Sequence, residues 1–163
     1  MTKTYSCLQA GRAAAFACLF SCLAAGAAPA HAALGDTVPP EAPPASAPAN
    51  GLTLAGGAAR VTRYVDTGGT HFKAYIATHS GQIFAYTWQG PTPPDLDALL
   101  GRYAADWHSG AAALHAAGRA GLHAARVDTP TVVVESGGHM RSYIGRAWLP
   151  AALPAGVTEG DLQ

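Results

Sequence analysis

The chain has 163 residues, 49% of them hydrophobic, and its ten basic side chains are matched by ten acidic ones. No segment carries a basic stripe, which argues against nucleic acid as a partner. No segment recurs at a fixed period, which excludes solenoids and propellers.

In chain order the first 32 residues read as a signal peptide. Lys3 and Arg12 supply a positive start, the run 13–28 is apolar apart from Ser21 and Gly26, and Pro29 breaks it just before Ala30-His31-Ala32. Small side chains at 30 and 32 suit an A-x-A site, so cleavage is expected between Ala32 and Ala33. The apolar run is shorter than the roughly 20 residues a bilayer core requires, so no membrane span is expected after cleavage. A lipoprotein signal at Cys22 is the lesser alternative, because Phe20 is bulky where a small residue is usual.

All three cysteines, Cys7, Cys18 and Cys22, lie in the segment to be removed, which leaves the mature chain without thiol chemistry. Losing Lys3 and Arg12 from the ten basic residues leaves eight against ten acidic ones. Residues 33–51 hold Pro39, Pro40, Pro43, Pro44 and Pro48 among Ala and Ser, and read as an extended linker. A single domain is expected over 52–154, followed by a tail over 155–163.

Within that domain, 60–66, 71–78 and 83–89 are rich in β-branched and aromatic residues between Gly-containing turns, which predicts an antiparallel meander. With Ser80-Gly81 as a two-residue loop, simple alternation puts Phe72, Ala74, Ile76, Ile83, Ala85 and Thr87 on one face. The other then carries His71, Lys73, Tyr75, Phe84, Tyr86 and Trp88. Thr92 is the expected helix cap, with Pro93 and Pro94 in the first turn, and Leu96, Leu99, Leu100, Tyr103 and Trp107 form one apolar stripe. The Ala- and Gly-rich stretch 109–121 reads as a weak helix or loop. Strands are expected again over 122–127 and 131–135, with Gly137-Gly138 as the turn into 139–149. The sum is an α+β fold in which an antiparallel sheet of five to six strands, ordered as meander, helix and hairpin, packs on one main amphipathic helix.

Several segments resemble an exported bacterial family, domain of unknown function 2844. The carrying residues are Ala33-Leu34-Gly35, the stretch from Gly81 to Pro91, Pro94-Asp95-Leu96 with Leu99-Leu100-Gly101, Ser136 to Arg141, Gly145-Arg146-Ala147 and Leu149-Pro150. The resemblance implies export, size and a common fold, and supplies no catalytic residue.

The stretch from Ser136 to Arg146 is the most chemical in appearance. A bulge at Gly145 would bring Arg141 and Arg146 together beside His139 as an anion site. The simpler expectation is that Arg141 and Arg146 meet Glu135 or Asp128 across the hairpin. His139, Arg141 and Glu135 are the candidate catalytic residues, and Arg141, Arg146, Tyr75, Tyr86 and Trp88 the candidate binding residues. The rings are more simply core beneath the helix stripe. Beyond residue 32 the histidines at 71, 79, 108, 115, 123 and 139 form no H-x-H or H-x-x-x-H pair, so no metal is expected, His71 and His139 being the least unsuitable ligands. No cofactor is implied. Two functions follow as expectations: a non-catalytic periplasmic or secreted module that binds an envelope protein or cell-surface polymer, and, as the alternative, an envelope-acting hydrolase centred near His139 and Arg141.

Overall fold

The computed structural model describes residues 32–38, 52–119, 121 and 124–163, and the body they form lies within the compact unit His31–Gln163. Residues 1–31 of the expected signal peptide, with its three cysteines, and residues 39–51 of the expected linker lie outside the described residues. Among the described residues the strands are β1 (Leu52–Leu54), β2 (Ala59–Val65), β3 (His71–Ala77), β4 (Ile83–Gly90), β5 (Ala124–Asp128), β6 (Val133–His139) and β7 (Ser142–Trp148). They make one antiparallel sheet in the order β1-β2-β3-β4-β7-β6-β5. The class is the α+β expected; the strand count is seven rather than five or six, because the short β1 pairs with β2 through Leu52–Val61.

The helix between β4 and β5 is broken. α1 (Leu96–Leu100) is capped by Asp95, whose Oδ1 accepts from the Ala98 amide at 3.0 Å, not by Thr92. Thr92 instead meets the buried Thr70, hydroxyl to hydroxyl, at 2.9 Å. Gly101 has φ 53°, which ends α1 and turns the chain through a short 3-10 segment into α2 (Ala104–Ala116). The stretch expected to be weak is thus helical to Ala116. No side chain of α2 is fully buried, and it lies close to β5 because Gly110 has none: a Cβ there would stand 2.6 Å from Val127 Cγ1.

The core lies on both faces of the sheet. On the helix face, Phe72, Ala74, Ile76, Ile83, Tyr86, Trp88, Val134 and Ala147 pack with Leu99 and Leu100, and Leu96, Tyr103 and Trp107 border them. On the other face, Val61, Tyr75, Phe84, Ala85, Val133 and Trp148 pack beneath Val157 and Leu162. Alternation correctly pairs Phe72, Ala74, Ile76 and Ile83, then fails in β4. Tyr75 faces Ala85 but Ile76 faces Ile83, so Phe84 is an extra residue in a β-bulge. The bulge puts Phe84 and Ala85 together on the second face and moves Tyr86 and Trp88 beneath the helix, while Tyr75 stays opposite.

Three other expectations are corrected. The Ser80-Gly81 loop is wider, running from Ala77 to Gln82, whose carbonyl accepts from the Ala77 amide at 2.9 Å. The β6–β7 turn is Met140-Arg141, at φ 51° and 65°, not Gly137-Gly138, which lie inside β6. The ends placed outside the domain belong to its packing: Leu34 is buried in the helix-side core, and Val157 and Leu162 close the second face.

Candidate functional site

The second face is crossed by a row of polar side chains in register: Arg63, Lys73, Thr87, Arg146, Glu135 and Arg126, one from each strand from β2 across to β5. Glu135 sits between two guanidiniums. Its Oε1 accepts from Arg126 Nη1 and its Oε2 from Arg146 Nε, each at 2.5 Å. Both arginines also reach the C-terminal segment. Arg146 Nη1 donates to the Glu159 carbonyl at 2.7 Å, and Arg126 Nη2 lies 3.5 Å from the Glu159 carboxylate and 3.1 Å from that of Asp128. The two guanidiniums stack over the buried Trp148 ring at 5.4 and 5.1 Å.

Burial alone would raise the Glu135 carboxyl, but hydrogen bonds from Arg146 and Arg126, reinforced by their charges, hold it below the usual carboxylate range. The hydrogen bond to Asp128 leads the causes that push Arg126 upward. This arrangement is a lock of opposite charges that ties the C-terminal segment to the sheet, with Glu135 ionised at neutral pH.

The expected catalytic residues are therefore not brought together. Glu135 is engaged by Arg126 and Arg146, the pairing with Arg146 being the simpler of the two expectations. Arg141 lies in the exposed turn, separated from the Arg146–Glu135 rung by the pairs Ser142–His139, Tyr143–Gly138, Ile144–Gly137 and Gly145–Ser136. No bulge interrupts that ladder, so the proposed convergence of Arg141 and Arg146 does not occur. His139 is placed only by its backbone, opposite Ser142 next to the turn. The expected binding rings are core: Tyr75 binds the Gln163 carbonyl at 2.8 Å, Tyr86 binds the Ala32 carbonyl at 2.5 Å, and Trp88 is buried. Among the described residues no three His, Cys, Asp or Glu side chains are grouped to hold a metal ion.

Two surfaces went unread in the sequence. One rung beyond the Glu135 row runs Val65, His71, Gln89, Ile144, Gly137 and Ala124. The C-terminal segment does not cover it, and Val65 and Ile144 are 54% and 57% exposed. Only cross-strand register, which depends on the bulge, aligns these two residues. The second is a cleft of about 250 Å³ on the helix side, walled by Trp88, Tyr143, Pro93, Pro94 and Leu96 over Ser136 and Gly138.

A family model described as protein of unknown function (DUF2844) matches residues 30–162. No curated protein and no solved structure matches the chain.

Proposed function

Since the chain belongs to the DUF2844 family, proteins of unknown function, we propose that it is an exported, non-catalytic module that binds an envelope protein or a cell-surface polymer through the open rung of its sheet. The observation that carries this reading is the exposure of Val65 and Ile144 on a face otherwise closed by the C-terminal segment. Val65 and Ile144 stand three strands apart on one rung with His71 and Gln89 between them, and with Arg63 beside Val65 on its strand they form a flat patch of mixed apolar and polar character. Export is supported by the positive start, apolar run and A-x-A site of the first 32 residues, and periplasmic or secreted localisation follows from that. The hydrolase alternative gains no support, since both Glu135 oxygens are taken by Arg126 and Arg146 and the His139–Ser142 end of the hairpin lies four rungs away.

Retention of the purified protein on isolated envelope material tests the reading. The double variant V65E/I144E should lower retention at least about tenfold, a loss of roughly 1.4 kcal/mol. A112E, on the exposed side of α2, should leave retention unchanged. Equal retention of both variants, or hydrolysis of the material that E135Q abolishes, would count against it.

A further inference from the structure

The chain at Ala32–Gly35 is built into the fold by several contacts, one of them on the backbone nitrogen of Ala33. That nitrogen lies 2.9 Å from the Asp36 carboxylate. The Ala33 methyl occupies the space left by Gly101, where a Cβ would stand 2.8 Å away. The next residue is fixed on both sides of its backbone: the Leu34 amide donates to the Leu99 carbonyl and the Gly35 amide to the Ile83 carbonyl, each at 2.8 Å, with the Leu34 side chain buried. The Tyr86 hydroxyl stands one peptide unit away, on the Ala32 carbonyl.

We propose that the domain carries a binding site for its own processed amino terminus, in which the α-ammonium of Ala33, freed by cleavage after Ala32, docks on the Asp36 carboxylate. The inference rests on the export reading above. A secretory peptidase hydrolyses the bond between the Ala32 carbonyl carbon and the Ala33 nitrogen. Water supplies the oxygen that makes Ala32 a carboxylate, and its protons leave Ala33 as an ammonium, so one water gives one carboxylate and one ammonium.

The site suits that product better than the uncut amide. An amide offers Asp36 one neutral donor, whereas the ammonium offers a full opposite charge and three donors. The groups around this stretch include the Asp36 carboxylate, the phenols of Tyr86, Tyr64 and Tyr103, and Arg102. Burial, then Tyr64 and Asp36, push the Tyr86 hydroxyl upward, so it stays neutral and, once the Ala32 carbonyl has left, is free to accept from the ammonium. Burial followed by Asp66 does the same to Tyr64. Arg102 is turned onto the Gly35 carbonyl. Because Ala32 and Ala33 are half-buried in the folded body, cleavage belongs before the domain closes.

Mass spectrometry of the protein recovered from the cell, followed by titration of its terminal amine by NMR, tests this. The chain should begin at Ala33, and its amine should titrate above the ordinary value of about 8, leaving it roughly threefold to tenfold less reactive toward acylation at pH 7.5 than a free α-amine. D36N should restore the ordinary reactivity. Stability from this pair should be complete below about pH 8 and fall as pH rises through the raised value. An ordinary titration in a chain that begins at Ala33 overturns the inference and leaves export standing; this reading needs only the unsubstituted protein. A chain beginning elsewhere, or lipidated at Cys22, overturns both this docking and the cleavage on which it rests.

Discussion

Glu135 shows how a residue of catalytic type becomes structural through its neighbours. Register alone puts a guanidinium on each side of it, and both arginines continue to the C-terminal segment. Its folded-state titration lies below the unfolded one, so its contribution is present above the unfolded value of about 4.3 and is lost as pH falls through the lower folded value. Because Glu135 and Arg146 are about a quarter exposed, E135Q should cost only about 1 kcal/mol at pH 7. Denaturant unfolding of the two proteins should show that gap closing below pH 4. A gap that persists unchanged to pH 2 would mean that the carboxylate charge is not what stabilises the fold. From the sequence, Glu135 is one of two acidic partners open to Arg141 and Arg146, and Arg126 is not in view, because its contact depends on the pairing of β5 with β6, and the strand Ala124–Asp128 holds only one buried side chain to signal its register.

At the scale of elements, composition read the strands and the helix stripe well, and turns and faces poorly. The meander was legible because β-branched and aromatic residues crowd between glycines. The face of Tyr86 and Trp88 was not, since a single inserted residue at Phe84 reverses every side chain after it and leaves no compositional mark. Gly137-Gly138 attracted the turn assignment because glycine is the usual residue for positive φ. Gly138 does take a positive φ, 139°, but inside the β6–β7 ladder opposite Tyr143, where a Cβ would run into the Ser142 carbonyl oxygen. The turn falls to Met140 and Arg141, both in the left-handed region that suits Asn-Gly. M140N/R141G should therefore stabilise the protein by about 1–2 kcal/mol, read as a raised denaturant midpoint. Neither side chain is covered, Met140 being 90% exposed, so no packing is lost in the exchange, and an unchanged or lower midpoint would contradict the positive φ pair.

The whole molecule is a sheet that needs both faces covered, and local patterning discloses only one cover. The helix advertises itself by its stripe. The second cover is the chain after Trp148, whose apolar residues fall singly among Pro, Gly and Ala without helix or strand period, and whose last part, 155–163, reads as a tail. Geometry gives it a different role. Leu162 is 2% exposed against Tyr75 and Trp148, and the following residue exchanges hydrogen bonds with Tyr75, the Tyr75 hydroxyl donating to its carbonyl and its amide approaching that oxygen at 3.1 Å. Thr158 and Asp161 close the last turn on each other through the Thr158 amide and hydroxyl, each at 2.8 Å, and these bonds hold the Asp161 carboxyl below its usual range. L162A removes a core side chain, not a tail residue, and should cost about 2–3 kcal/mol. Chemical denaturation should record that loss as a lower midpoint with unchanged slope if the segment unfolds together with the sheet. A change below about 0.5 kcal/mol is what an exposed site would give, and it would return the segment to the status of a tail, leaving the aromatic face of Tyr75, Phe84 and Trp148 to be covered by something else.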